Sequence, residues 1–131
     1  MLRVSTPLPA DTEEIVTRVI SSGLAVHRAL GPGFLESIYR RALCLEMHAQ
    51  GIPFEPEKNI CVPYREWQIS GQRVDLIVGG QVIVEIKTVD RLERIHEAQV
   101  LSYLRSLRLR IGLLMNFNVP LFKDGLRRIV L

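Results

Sequence analysis

Sorted by polarity alone, the chain switches between two periods. From Asp11 onward, Ile15, Val16, Val19, Ile20, Leu24 and Leu30 recur at the three-to-four-residue spacing of a helix with one apolar face. Asp11 followed by Glu14 has the spacing of a capping box at its start, and Gly31-Pro32-Gly33 ends it. A second helix is predicted from about Phe34 to Gln50, with Leu35, Ile38, Ala42, Leu43 and Met47 inward and Gly51 just past its end. After Pro53 the period shortens. Strands are predicted over Asn59–Arg65, Arg73–Val78 and Gln81–Lys87, with a turn at Ser70-Gly71 before the second. Helical spacing returns between Asp90 and Arg108 through Leu92, Ile95, Leu101, Leu104 and Leu107. Ile111–Phe117 has the near-continuous apolar character of a strand buried on both faces. Asp124-Gly125 marks a turn before a last strand, Leu126–Leu131. The order α-α-β-β-β-α-β-β predicts an α/β or α+β domain with a mixed sheet. Residues 1–10, with Pro7 and Pro9, read as an extended arm.

Composition narrows the setting. A chain of 131 residues fits one domain, 1–131, and buries roughly two thirds of its unfolded surface. A hydrophobic fraction of 47% with 24% charged residues belongs to a soluble globular protein. No apolar run approaches the roughly 18 residues of a membrane span, and the N-terminus lacks the apolar segment of a signal peptide. Two cysteines, Cys44 and Cys61, make no disulfide framework. A cytoplasmic location with no membrane partner is therefore expected. A net charge of +3 suits a polyanionic partner without requiring one.

One stretch departs from the polarity rule. VDLIVGGQVIVEIK, residues 74–87, is apolar on both arms of a presumed hairpin, yet carries Asp75, Glu85 and Lys87. Alternation along a strand puts Glu85 and Lys87 on the face of Ile83, with Val82, Val84 and Ile86 on the other. The face of Asp75 depends on the loop. A two-residue Gly79-Gly80 loop pairs Asp75 with Val84 and turns it away from Glu85. A three-residue loop, Val78–Gly80, pairs Asp75 with Ile83 and makes it the diagonal neighbour of Glu85, about 7–8 Å away. Two carboxylates in so apolar a setting repel each other and resist desolvation, and a divalent cation relieves both. Oxygen ligands suit Mg²⁺, and a neighbouring lysine completes a set able to hydrolyse a phosphodiester. The plainer alternative is a salt bridge, Glu85 with Lys87, and Asp75 with Arg73 or a distant arginine.

Other signals carry less. His27, His48, Cys44 and Cys61 match no standard zinc spacing. The LGPG stretch, residues 30–33, lacks the Gly-Lys-Ser/Thr of a phosphate loop and suits a tight interhelical turn. Arg105, Arg108, Arg110, Lys123, Arg127 and Arg128 form either a phosphate-binding or an ordinary solvated face. Trp67, in an expected loop, either stacks on a base or covers a core edge.

The pattern Asp75…Glu85-Ile86-Lys87 resembles the PD-(D/E)XK nuclease superfamily. The wider chain is similar to its small GxxExxY branch, through Gly33-Phe34-Leu35-Glu36-Ser37-Ile38-Tyr39 and through residues 27–43, 74–87, 96–104 and 112–130. Val74 stands where many members have proline before the Asp. The resemblance implies a restriction-endonuclease-like core, a mixed central sheet flanked by helices. It implies a Mg²⁺- or Mn²⁺-dependent nuclease with Asp75, Glu85, Glu36 and the main-chain carbonyl of Ile86 on the metal, and Lys87 assisting the attacking water. It also implies that Gln99 meets the scissile phosphate or a water on the metal, and that Tyr103 holds the adjacent phosphate. Spacing alone puts Glu36, Tyr39, Arg40 and Leu43 on one helical stripe, where a first-turn Glu also complements the helix dipole. It puts His96, Gln99 and Tyr103 on another, where Tyr103 packing at a rim is an equal account. DNA is expected over RNA, and a homodimer is compatible with cutting both strands. A non-cleaving nucleic-acid- or protein-binding module on the same fold is the alternative.

Overall fold

The computed structural model describes residues 7–131. Its order is α1 (Ala10–Leu30), α2 (Glu36–Ala49), β1 (Phe54–Tyr64), β2 (Trp67–Val78), β3 (Val82–Lys87), α3 (Arg94–Leu107), β4 (Ile111–Asn116) and β5 (Leu126–Val130), with a 3₁₀ turn at Phe122–Gly125. The five strands form one mixed sheet in the order β1-β2-β3-β4-β5. Only β3 and β4 are parallel, joined through α3; the other neighbours are antiparallel. Val16, Val19 and Val26 of α1 and Tyr39, Leu43 and Met47 of α2 pack on one face of the sheet. Val100, Tyr103 and Leu104 of α3 pack on the other. This is a restriction-endonuclease-like arrangement, a five-stranded mixed sheet flanked by three helices.

Several boundaries differ from the sequence expectation, each for a local reason. Helix α1 starts at Ala10 behind Pro9 and has no side-chain cap, so Asp11 and Glu14 already lie inside it and form no capping box. The expected N-terminal arm falls partly on residues 1–6, outside the described residues. Helix α3 starts four residues later than expected: Glu93 is its N-cap, and the Nδ1 of His96 accepts the Glu93 N–H at 2.9 Å. Leu35, Ile38 and Ile95, expected in the core, are exposed, because α2 packs through Tyr39, Leu43 and Met47, and α3 through Val100, Tyr103 and Leu104. Strands β1 and β2 extend well beyond expectation. Ser70-Gly71 runs within β2, the turn sits at Arg65-Glu66, and Trp67 opens β2 and lies in no loop.

The turn between α1 and α2 positions the first residue of α2. Gly31 and Gly33 both have φ in the left-handed region, at 69° and 110°, where glycine alone is unstrained. The Tyr39 hydroxyl closes this turn, donating to the Gly31 carbonyl and accepting the Phe34 N–H. Its ring stacks on Phe117 with centroids 4.6 Å apart. Tyr39 is thus a buried pin that fixes where α2 begins, and α2 begins with Glu36.

Candidate active site

The hairpin has a register that neither sequence alternative contained. Val78 pairs with Val82, Ile77 with Ile83 and Leu76 with Val84. The loop is therefore Gly79-Gly80-Gln81, and the register continues to Asp75 opposite Glu85. The regular ladder stops one pair short of them. There the side chains take over the strand's hydrogen bonds. The Asp75 Oδ2 accepts the Ile86 N–H at 2.8 Å, and the Glu85 Oε1 accepts the Asp75 N–H at 2.8 Å. The two carboxylates replace carbonyls as acceptors, which locks both chains and brings both charges to one point.

The next neighbours come from three directions. From α2, Arg40 reaches the Asp75 Oδ1 at 3.4 Å and the Glu57 Oε1 at 3.4 Å. The distant-arginine partner considered for Asp75 is therefore real, and it is Arg40; Arg73 approaches Glu57 instead. Glu85 and Lys87 form no ion pair among the described residues. The Lys87 Nζ lies 3.4 Å from the Gln99 Oε1 on α3. Also from α3, the Tyr103 hydroxyl accepts a hydrogen bond from the Gln72 Nε2 at 3.1 Å.

The electrostatics are those of an unbalanced anionic cluster. Glu85 is only 6% exposed. Burial, then the charge of Asp75, push its carboxyl up from 4.5 to about 8, with Glu36 adding to the rise. The Asp75 N–H bond and Lys87 oppose this and are outweighed. Glu36 is raised as well, by burial and then by Asp75. Tyr103 is raised by burial and by Glu85. Glu36, Asp75 and Glu85 thus feel one another across α2, β2 and β3.

A hard divalent cation fits this chemistry. The donors are all oxygens, and the second oxygen of Glu85 accepts no hydrogen bond among the described residues. A buried carboxylate with so high a pKa is one whose charge lacks a partner. Among the described residues, no group of three or more His, Cys, Asp and Glu side chains stands ready as a metal cage. That is no obstacle for Mg²⁺, which commonly takes one or two carboxylates together with substrate phosphate.

Three contributors carried no expected role. Spacing puts Arg40 only on a helical stripe and gives Gln72 no role. Asn116, buried at the end of β4 beside Lys87 in register, accepts the Val89 and Asn118 N–H groups and donates to the Val89 carbonyl. It thereby fixes the chain leaving Lys87. An Asn inside an otherwise apolar strand was the available signal.

No curated protein and no solved structure matches the chain. A family model described as the PD-(D/E)XK nuclease superfamily matches residues 13–129, a span that takes in everything from Glu36 to Asn116, and the chain belongs to that superfamily.

Proposed function

We propose that this domain is a metal-dependent nuclease of the GxxExxY type that hydrolyses phosphodiester bonds of nucleic acid, DNA in preference to RNA, at the point where β2 and β3 part. One observation carries the proposal: the reciprocal insertion of Asp75 and Glu85 into each other's backbone, with Glu85 held near pKa 8 and Lys87 two residues on. Asp75 and Glu85, with the main-chain carbonyl of Ile86, would hold Mg²⁺ or Mn²⁺, and Glu36 would add its charge from α2. Such an ion supplies Lewis-acid stabilisation of the phosphoryl oxygens and eases deprotonation of the attacking water. Lys87 orients that water and offsets negative charge as it develops. Gln99, beside the Lys87 ammonium, donates its amide to the scissile phosphate. Tyr103 donates its hydroxyl to the next phosphate; burial and the charge of Glu85 both hold that proton more tightly than usual. Water adds to phosphorus, the ester oxygen leaves, and the net proton from water passes to that oxygen. The test is a panel of labelled DNA and RNA strands, single and double, with and without Mn²⁺, beside Lys87→Ala. Cleavage by the variant equal to that of the wild type discards the assignment.

A non-cleaving binding module has one observation in its favour: Arg40 already neutralises part of the Asp75 charge. Thermal melts separate the two. A catalytic centre gains stability from Mg²⁺ or Mn²⁺ by mass action, whereas the absence of any shift with either ion favours the binder.

A further inference from the structure

We propose that the tip of the β1–β2 ribbon grips nucleic acid beside the cut, with Tyr64 and Trp67 stacking on unpaired bases; this rests on the nuclease reading of the centre. Beyond Ile60 and Val74, which are anchored against α3, the ribbon stands free: every residue from Cys61 to Gly71 is exposed. Tyr64 pairs with Trp67 and Val62 with Ile69, so all four share one face. A bare apolar face on a two-stranded ribbon calls for a partner, since such ribbons are marginal alone in water.

A second copy of the chain fits poorly. Four half-exposed side chains offer on the order of 400 Å², at about 100 Å² each, against the roughly 800 Å² per partner of a standard interface. Edge-to-edge pairing is blunted by Pro56, Pro63 and the irregularity between Ile60 and Val62. Nucleic acid fits better. The turn between the aromatics is Arg65-Glu66; the Arg65 guanidinium lies 5.8 Å from the Tyr64 ring centroid, on the aromatic side, and forms no ion pair with Glu66 or any other carboxylate among the described residues. Aromatic rings beside a guanidinium that no carboxylate neutralises suit a base on a charged backbone. The ribbon is also continuous with the centre. Trp67 and Asp75 lie on the same strand, eight residues apart, which at about 3.3 Å per residue is roughly 26 Å, at most about eight nucleotides of a stacked strand and about half that of an extended one. Gln72, between them, holds the Tyr103 hydroxyl.

Trp67 is the only tryptophan, so its fluorescence reports on the ribbon alone. Lys87→Ala protein in Mg²⁺ is titrated with single-stranded oligonucleotides of about 3 and 20 nucleotides, and with a blunt duplex, reading anisotropy in parallel. The long strand is expected to quench Trp67 and the short one to bind without quenching. Adding Trp67→Ala or Tyr64→Ala should weaken the long strand about tenfold and leave the short one unchanged, with melting curves preserved. Binding of the long strand without quenching or loss of affinity overturns the proposal and leaves the nuclease assignment standing. Equal quenching by the duplex overturns base stacking. Quenching that rises with protein concentration alone, with doubled mass, gives the ribbon to a second copy. No binding by anisotropy overturns both this proposal and the nuclease reading.

Discussion

Replacing Glu85 by Gln is expected to stabilise the metal-free protein, and to do so only as the pH rises. In the folded chain Glu85 keeps its proton up to about pH 8, whereas its ordinary value is 4.5. Between those values the folded state binds more protons than the unfolded one, so the wild type loses stability as pH increases. The contribution is fully present below 4.5 and gone above 8. The interval of 3.5 pH units, at about 1.4 kcal/mol each, sets an upper bound of about 5 kcal/mol. Gln keeps an oxygen that can accept the Asp75 N–H, held at 2.8 Å in the wild type, and carries no charge to bury. Even half of the bound would raise Tm at pH 8 by roughly 10 °C, with the two proteins converging near pH 4.5. Melting curves followed by circular dichroism in chelator, across that range, read this directly. Saturating Mg²⁺ should raise the wild type and leave Glu85→Gln unmoved. If the variant melts no higher than the wild type at pH 8 in chelator, Glu85 does not resist its own charge, and the case for a shared cation fails.

Other expectations follow from single contacts. Lys87→Ala should lower cleavage by at least about a hundredfold, with an unchanged far-ultraviolet spectrum and retained binding by anisotropy. Tyr39→Phe keeps the stacking on Phe117 but strands the Gly31 carbonyl and Phe34 N–H, and should cost about 1–3 kcal/mol in denaturant melts. Asn116→Ala leaves the polar groups of Val89 and Asn118 unpaired, and should cost about 2–4 kcal/mol while reducing turnover through the displaced Lys87 strand. Arg40→Gln removes a competing cation from Asp75; calorimetry should find Mg²⁺ bound roughly two- to fivefold more tightly.

Much of the fold was readable because the strongest signals were local. Glycines at 31, 33 and 51 take positive φ, and each ends or redirects a helix where the sequence places it. The register of the β2–β3 hairpin was not readable. Apolar residues line both faces of both arms, so a one-residue slip moves no polar side chain into a core. Gly79 and Gly80 both take positive φ, and two glycines serve several loop lengths equally well. The long ribbon leaves no trace in the pattern for the opposite reason: with nearly every side chain exposed, it has no buried alternation, and Ser70-Gly71 mimics a turn. The Asp, Glu and Lys at the centre were legible as types in order. The Arg40 contact was not, because nothing local connects residue 40 to residue 75.

The centre has a backbone cause that runs deeper than its side chains. Leu76 and Val78 of β2 belong to the cluster under α1 and α2, and Val74 to the one under α3, although all three are spaced by two. The strand therefore turns over at Asp75. Opposite it, Glu57 has φ 49°, and Pro56 pairs with Leu76 and Lys58 with Val74 while the pair between them drops out of the ladder. An opened ladder costs hydrogen bonds on both sides of β2. On the β3 side the carboxylates of Asp75 and Glu85 supply the missing acceptors; on the β1 side Arg40 spans Glu57 and Asp75. A valine at position 75 would supply none of these side-chain acceptors and would give Arg40 no carboxylate on β2. The ladder is thus interrupted where α2 presents Glu36 and Arg40 and α3 presents Gln99 and Tyr103, and an interrupted ladder is what lets two carboxylates be held by backbone N–H groups between strands.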